Sequence, residues 1–337
     1  MKSPCVNELT DGQLVATQFL VREKEIRISA RSGKSWLELS LGDCTGAIPA
    51  KMWDNFEAIA KTFECDDVVR IRGRVKLYNG SKELTLDQIV PCAEKEYELG
   101  DFLPYTKCDV EKMWADLHSA IAGMKNPWLQ KLLASVVDDP EIGPRMKRAP
   151  AAMTMHHAYL GGLLEHVISL MGLAKAVSAH YPELDADLLL TGVVLHDVGK
   201  TEELRYQRGI DYSDSGRLLG HITIGAGLVR EKCRAIPGFP VPLEVLVQHL
   251  ILSHHGSYEF GSPSLPQVPE AVALHFIDDV DSKMAGMRKT LENASASASN
   301  DTWTDRNPSL RRELLRRDQF LANTPANSSA TQQPKKG

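Results

Sequence analysis

Four short segments of this 337-residue chain gather side chains that can hold a divalent cation. The first runs from His156-His157 to Glu165-His166. The second is Leu195-His196-Asp197-Val198-Gly199-Lys200 and the third Gly220-His221. The fourth is His254-His255-Gly256, followed by His275, Asp278, Asp279 and Asp281. Six of the eleven histidines lie between His156 and His221, and four more between His249 and His275. One at a time each is an ordinary packed or surface residue, and His118, His180, His249 and His275 are read that way. Together, imidazoles beside carboxylates and glycines in one region point to a metal centre. Imidazole and carboxylate donors without thiolate suit Mn²⁺, Fe²⁺, Zn²⁺ or Mg²⁺. A mixed set can also hold two ions about 3.5–4 Å apart, the arrangement used in phosphoester displacement.

These groups need a scaffold, and the local patterns supply one. Each segment sits at or near the end of an apolar helical run; Leu188, Leu189, Val193 and Leu195 lead into His196, with Gly199 as a helix stop. Residues 151–292 therefore read as an all-helical domain. Ahead of it, residues 96–150 read as a helical connecting segment. Its stretches Val110–Met124 and Trp128–Val137 are ended by Asn126-Pro127 and Asp139-Pro140. The basic cluster Arg145, Lys147, Arg148 is either a solvated helix end or a phosphate contact.

Residues 1–95 are rich in strand signals. Ser35–Leu41 alternates with period two, 54–63 forms a helix with Phe56, Ile59, Ala60 and Phe63 on one face, and Asn79-Gly80 joins Val68–Tyr78 to Leu84–Val90 as a hairpin. Three strands, a helix and two strands is the element order of a five-stranded OB-fold barrel. Within Val68–Tyr78, Val69, Ile71, Val75 and Leu77 face the core, and Arg70, Arg72, Arg74 and Lys76 form a cationic row on the other face. Arg22, Lys24, Arg27, Arg31 and Lys34 are candidate additions. Trp36, Trp53 and Tyr78 are candidate stacking platforms for bases. The other reading is a solvated outer face over ordinary core aromatics. Residues 293–337 form a polar tail with a short charged helix over Ser309–Phe320, disordered from about 322 onward.

Composition narrows the class. A net charge of −5 gives no whole-chain sign of a nucleic-acid binder, so the basic row stands on its own. Six scattered cysteines without a CxxC pair fit free thiols in a reducing cytoplasm. The longest apolar runs, such as 187–196, fall short of the ~20 residues of a membrane span. The N-terminal residues lack the apolar core of a signal peptide. A cytoplasmic protein with no membrane partner is expected.

His166, His196-Asp197 and Asp278 resemble the H…HD…D signature of the HD-domain superfamily of metal-dependent phosphohydrolases. The longer phrases HHAYLGGLLEHV, LHDVGKTEEL, GHITIG, ILSHHGSYEFGSP and LHFIDDVDSKM, behind an OB-like barrel, resemble the YhaM-type 3′→5′ exoribonucleases over residues 12–290. The resemblance implies a multidomain α+β chain, an OB-fold barrel followed by an all-α HD domain. It implies His166, His196, Asp197 and Asp278 as ligands of one ion, with His221, His254 and His255 for a second and Asp197 bridging. Asp278 is preferred to Asp279 because it stands in a D-x-x-D spacing with Asp281. Lys200 is assigned to neutralising a phosphate oxygen, and His157 to contacting the scissile phosphate or protonating the leaving oxygen.

The implied activity is hydrolysis of single-stranded RNA from its 3′ end to nucleoside 5′-monophosphates. Mn²⁺ is the first choice of ion, in one or two copies. Single-stranded DNA is a second substrate, and a homo-oligomer is one expectation. Three rivals remain: a phosphohydrolase of small or cyclic nucleotides, a nucleic-acid-binding adaptor with an inactive HD scaffold, and a di-iron oxygenase of the HD type. The cationic row argues against the first and the full ligand set against the second.

Overall fold

The computed structural model describes residues 3–28, 33–78, 80–153, 157–206, 209–296, 301–307 and 310–322. An alternating apolar pattern closes the first unit into a barrel. Its strands are β1 (Leu14–Ile28), β2 (Ser35–Asp43), β3 (Gly46–Met52), β4 (Val68–Tyr78) and β5 (Ser81–Pro91), in the spatial order β1-β2-β3-β5-β4 with β1 closing on β4. Only β3 and β5 run parallel. Phe19, Leu37, Leu41, Ile71 and Leu84 fill the interior together with Phe56 and Phe63 from the β3–β4 connection. The helix there, α1 (Phe56–Ile59), is one turn rather than the ten residues predicted. Asn55 enters it left-handed, and past Ile59 the backbone bonds shorten to three-residue turns, yet Phe56, Ala60 and Phe63 still reach the core.

In β4 Val69, Ile71 and Val75 are buried, and Arg70, Arg72, Arg74 and Lys76, which alternate with the buried positions, are exposed. Leu77, expected inside, is 55% exposed because the strand has by then left the barrel for its hairpin. The one register shift between β4 and β5 places an extra residue, Asp87, on β5, so the alternation along β4 is unbroken.

The second unit is a helical bundle. It comprises α2 (Val110–Ala122), α3 (Pro127–Val137), α4 (Ile142–Arg148), α5 (Gly162–His180), α6 (Ala186–Leu195), α7 (Lys200–Glu203), α8 (Asp214–Ala235), α9 (Val241–Ser253) and α10 (Pro269–Ala296). A two-stranded ribbon, β6 (Leu204–Arg205) and β7 (Asp211–Tyr212), joins α7 to α8. Asn126-Pro127 does more than end α2. Asn126 Oδ1 accepts the amides of Trp128 and Leu129 and Pro127 occupies the first turn, so the pair starts α3. By length and composition α5 could cross a bilayer; here Leu164, Val167, Leu170 and Ala174 sit in the helical core.

A small third cluster joins the units. Leu20 and Val68 of the barrel pack with Phe102, Leu103 and Leu160, and Tyr206 lies against them. Beyond α10, the predicted helix over Ser309–Phe320 is confined to α11 (Arg317–Ala322). Ahead of it Trp303 bridges to Leu315 and Asn307 to Arg312, and Asn307 Nδ2 donates to Gly286 and Thr290 of α10. This stretch pairs and packs instead of coiling. The disorder expected beyond about 322 falls outside the described residues.

Candidate metal centre

Five helices deliver the predicted ligands to one volume. His166 lies on α5, His196 and Asp197 follow α6, His221 lies on α8, His254 and His255 follow α9, and Asp278 lies on α10. His166 Nε2 stands 3.3 Å from His196 Nε2 and 3.2 Å from Asp278 Oδ1. Asp197 Oδ2 faces this group, 3.3 Å from His196 Nε2 and 3.9 Å from His166 Nε2. Its other oxygen, Oδ1, faces a second group, 3.5 Å from His221 Nε2 and 3.8 Å from His254 Nε2. The His255 ring lies beside His221 and His254, and the three offer nitrogens within 4.8 Å of one another. One carboxylate thus stands between two sets of donors.

The tautomers follow from the outer partners. Nδ1 of His196, His254 and His255 meets the carbonyls of Val193, Ile251 and Phe260 at 2.9, 2.8 and 2.8 Å. A carbonyl only accepts, so each Nδ1 carries the proton and each Nε2 turns a lone pair inward. His221 Nδ1 meets Glu203 Oε1 at 3.0 Å, and His166 Nδ1 meets Asp281 Oδ2 at 2.8 Å. Among the described residues, Asp197 Oδ1, His221 Nε2 and His254 Nε2 are buried without a hydrogen-bond partner. Such orphaned atoms are costly unless a cation joins them. The donor set and its orphans fit divalent metal.

Electrostatics point the same way. Burial works against ionising Asp197, yet the charges of Lys200 and His196 prevail and hold its carboxyl well below the ordinary range. Asp278 is also lowered: burial opposes it, and the hydrogen bond and charge of His166 prevail. Burial would lower His166, but hydrogen bonds to Asp278 and Asp281 raise it to about 9, so an ion taken up at its Nε2 displaces a proton. Burial pushes His254 and His255 down, which keeps those imidazoles neutral and able to ligate.

Two glycines make the geometry possible. Gly199 is right-handed and is not the helix stop its position suggests; a Cβ there would lie 2.0 Å from the His221 carbonyl oxygen. Gly220 kinks α8 with φ 71°, a conformation that costs other residues, and so sets the course of the helix at His221.

The remaining predicted site residues are placed as follows. Lys200 Nζ lies 2.6 Å from Asp197 Oδ2, inside the centre. His157 stands behind His166. Its Nδ1 meets the Tyr159 hydroxyl at 2.7 Å, and its Nε2 is 3.5 Å from Asp281, so these contacts turn it toward Tyr159 and Asp281. His156 lies outside the described residues. Asp279 is half-exposed and paired with Lys283 at 2.6 Å, away from the ligands. His249 accepts the Gln267 amide and His275 bonds the His254 carbonyl. Sequence reasoning missed Glu203, which orients His221, and used Asp281 only for its spacing from Asp278. Asp281 had a signal: three residues past Asp278, it shares that helix face.

On the barrel, Arg70, Arg72, Arg74 and Lys76 line the outside of β4. Their neighbours in register on β1 are Gln18, Ala16 and Leu14, and on β5 Val90, Gln88, Thr85 and Glu83, so one carboxylate adjoins the row across the strands. That carboxylate, Glu83, is held by Lys51 at 2.6 Å. Arg70 also has a loose partner in Glu96, at 3.9 Å. Arg22, Lys24 and Arg27 do not extend the row: Arg22 donates to Asp43 and Phe102 carbonyls, Lys24 to Phe63 and Glu64, and Arg27 to Glu25 and Glu38. Arg31 lies outside the described residues. Trp36 is partly buried and tilted on Trp53, their centroids 5.3 Å apart, so Trp53, 48% exposed, offers the open ring of the pair. Tyr78 is 64% exposed, with Lys51 Nζ 5.6 Å from its ring centroid.

An OB-fold barrel carrying a cationic strand, joined to a helical His/Asp centre, defines a nucleic-acid-binding, metal-dependent phosphohydrolase. Residues 163–283 match the HD domain and residues 20–91 the OB-fold nucleic acid binding domain. The chain belongs to the YhaM 3′-5′ exoribonuclease family. It is 39% identical to the 3′-5′ exoribonuclease YhaM of Bacillus subtilis (strain 168) over 278 residues, 82% of this chain and 87% of that protein. It is 38% identical to YhaM of Bacillus velezensis over 284 residues, covering 83% and 88%, and 34% identical to that of Halalkalibacterium halodurans over 282 residues, covering 83% and 87%.

Proposed function

We infer that this chain, a metal-dependent 3′→5′ exoribonuclease, acts on single-stranded RNA, releases nucleoside 5′-monophosphates and uses Mn²⁺ in a two-ion centre. The observation that carries the reading is Asp197, whose two oxygens face two separate sets of inward-turned donors. The first set is His166, His196 and Asp278; the second is His221, His254 and His255. Ions held there would acidify a water and offset charge on the phosphoryl oxygens. The chain's own part is to hold the geometry. Buried Nδ1 contacts fix each ring, and the Lys200 ammonium, kept charged by Asp197 despite burial, stands ready for a non-bridging oxygen. The exposed row on β4 and the open rings of Trp53 and Tyr78 would hold the upstream strand by charge and stacking.

A 5′-labelled and a 3′-labelled single-stranded RNA, each incubated with Mn²⁺ or chelator, test the reading. The 5′ label is expected to shorten stepwise, and the 3′ label to appear at once as a mononucleotide 5′-phosphate, with neither change in chelator. Intact RNA alongside hydrolysis of a cyclic or small nucleotide would overturn it in favour of the small-substrate rival.

A further inference from the structure

The basic cluster at the end of α4 is split by the structure. Arg145 and Arg148 are one helical turn apart and share a face, while Lys147 points elsewhere. The Lys147 ammonium meets Glu111 at 2.8 Å and lies 5.1 Å from the centre of the Trp114 ring. The two arginines instead open on a cleft of about 620 Å³, lined also by Thr201, Glu202, Arg205 and Tyr206. Three arginines and one carboxylate residue line it. Arg205 donates to the Tyr212 carbonyl at 3.1 and 3.2 Å. Arg145 has an exposed pair with Glu141 at 3.5 Å, of the kind that contributes little. Among the described residues the Arg148 guanidinium has no hydrogen bond or ion pair. Tyr206 lines the same cleft, and the charges of Arg148 and Arg145 offset part of the burial that raises its hydroxyl.

The cleft's position gives it a use. Thr201 in its lining follows Lys200, whose ammonium lies at Asp197. Tyr206, on another wall, packs on the cluster that includes Leu20 and Val68 of the barrel. The cleft is therefore lined on one side by the residue next to Lys200 and on another by a residue packed on the barrel junction, between the metal centre and the barrel. We propose that this cleft is a phosphate subsite for the RNA strand upstream of the scissile bond, with Arg145 and Arg148 as its cations. The proposal rests on the exoribonuclease reading.

The test measures binding of a short single-stranded oligoribonucleotide to the full chain in chelator, where no cleavage occurs, as a function of salt. Each phosphate neutralised on a single strand contributes about 0.7 to the slope of log K against log salt. R145A/R148A is expected to weaken binding and make the slope shallower by up to about 1.4, and K147A to leave both unchanged. All three proteins are expected to hydrolyse bis(p-nitrophenyl) phosphate with Mn²⁺ at one rate. The proposal is overturned by a wild-type slope in R145A/R148A, or by an equal loss in K147A, which would make the effect general surface charge. It is also overturned if R145A/R148A loses diester hydrolysis to the same extent, which would place the arginines in support of the metal centre. AMP that competes with RNA on the wild type but not on the double variant would assign the cleft to released product, and would sink the proposal too. Failure of the underlying reading looks different: the wild-type chain would neither bind nor shorten RNA.

Discussion

Asp281 is the sharpest place to test how the centre is built. Its Oδ2 accepts from His166 Nδ1 at 2.8 Å, and Oδ1 takes the Ser169 hydroxyl. Burial opposes its ionisation, but hydrogen bonds to His157, His166 and Ser169 hold the carboxyl far below the ordinary range. It therefore stands ionised behind a fully buried imidazole, fixing that ring's tautomer and raising its basicity. Losing such an outer partner costs about 10–100-fold in metal affinity or activity. Asp281→Asn keeps an oxygen that can accept from Nδ1 and loses the charge, so the lower end applies. The Mn²⁺ concentration at half-maximal hydrolysis of bis(p-nitrophenyl) phosphate should rise about tenfold, or about 1.4 kcal/mol, with the maximal rate recovered at saturating metal. Asp281→Ala should approach the upper end. Asp279→Asn is the control, because Asp279 pairs with Lys283 outside the centre. A half-saturation point within twofold of wild type in Asp281→Asn, or an equal shift in Asp279→Asn, would refute the argument.

Four further outcomes are expected. His196→Ala should abolish hydrolysis of RNA and diester alike with the far-UV circular dichroism unchanged; near-wild-type turnover at saturating Mn²⁺ would contradict its role. Asp197→Ala should also be inactive but unstable by about 3–5 kcal/mol in urea titration, since it leaves the Lys200 ammonium buried without its partner. Chelation should lower the melting temperature of the wild type, because an ion at 100 times its Kd stabilises the folded state by about 2.7 kcal/mol, and should lower that of His196→Ala less, since only the second donor set remains. Replacing Arg72 and Arg74 by Ala should make the salt slope for long RNA shallower by up to about 1.4 and leave diester turnover alone; a wild-type slope would reduce the row to a solvated face.

What could be read from the sequence depended on whether chemistry or packing writes a local pattern. The ligands announce themselves because imidazole and carboxylate are dense in four phrases, and the barrel because one side of each strand must be apolar. Charge partners are different: Arg22, Lys24 and Arg27 look like the row on β4 until the fold hands each an acceptor, Asp43 and Glu38 from β2 for Arg22 and Arg27, and Phe63 and Glu64 from the β3–β4 connection for Lys24. Glu203 carries no periodic signal, since it reaches His221 only through the short α7 and the kink at Gly220. Gly199 is legible as a glycine but not for its reason, a backbone contact between segments more than twenty residues apart. The segment after α10 packs through a few side chains, Leu314 and Asn307 foremost, with no repeat to mark it.

The junction between the units bears on how any of these roles can be separated. Leu160, buried against Leu20 and Val68 of the barrel, is followed directly by Gly161 and by Gly162, the first residue of α5, which carries His166. Leu160 also bonds Pro104 through its amide and Thr106 through its carbonyl, and Thr106 in turn donates to Glu165, the residue before His166. The barrel's underside is thus part of the wall that seats His166, a proposed metal ligand. Deleting residues 1–95 removes Leu20 and Val68, uncovers Phe102, Leu103 and Leu160, and loosens the entry to α5. Loss of diester hydrolysis on that deletion would then report a displaced His166 rather than a catalytic barrel. Point changes on the outer face of β4 leave the junction intact, so the division of labour is decided by the arginines and not by truncation.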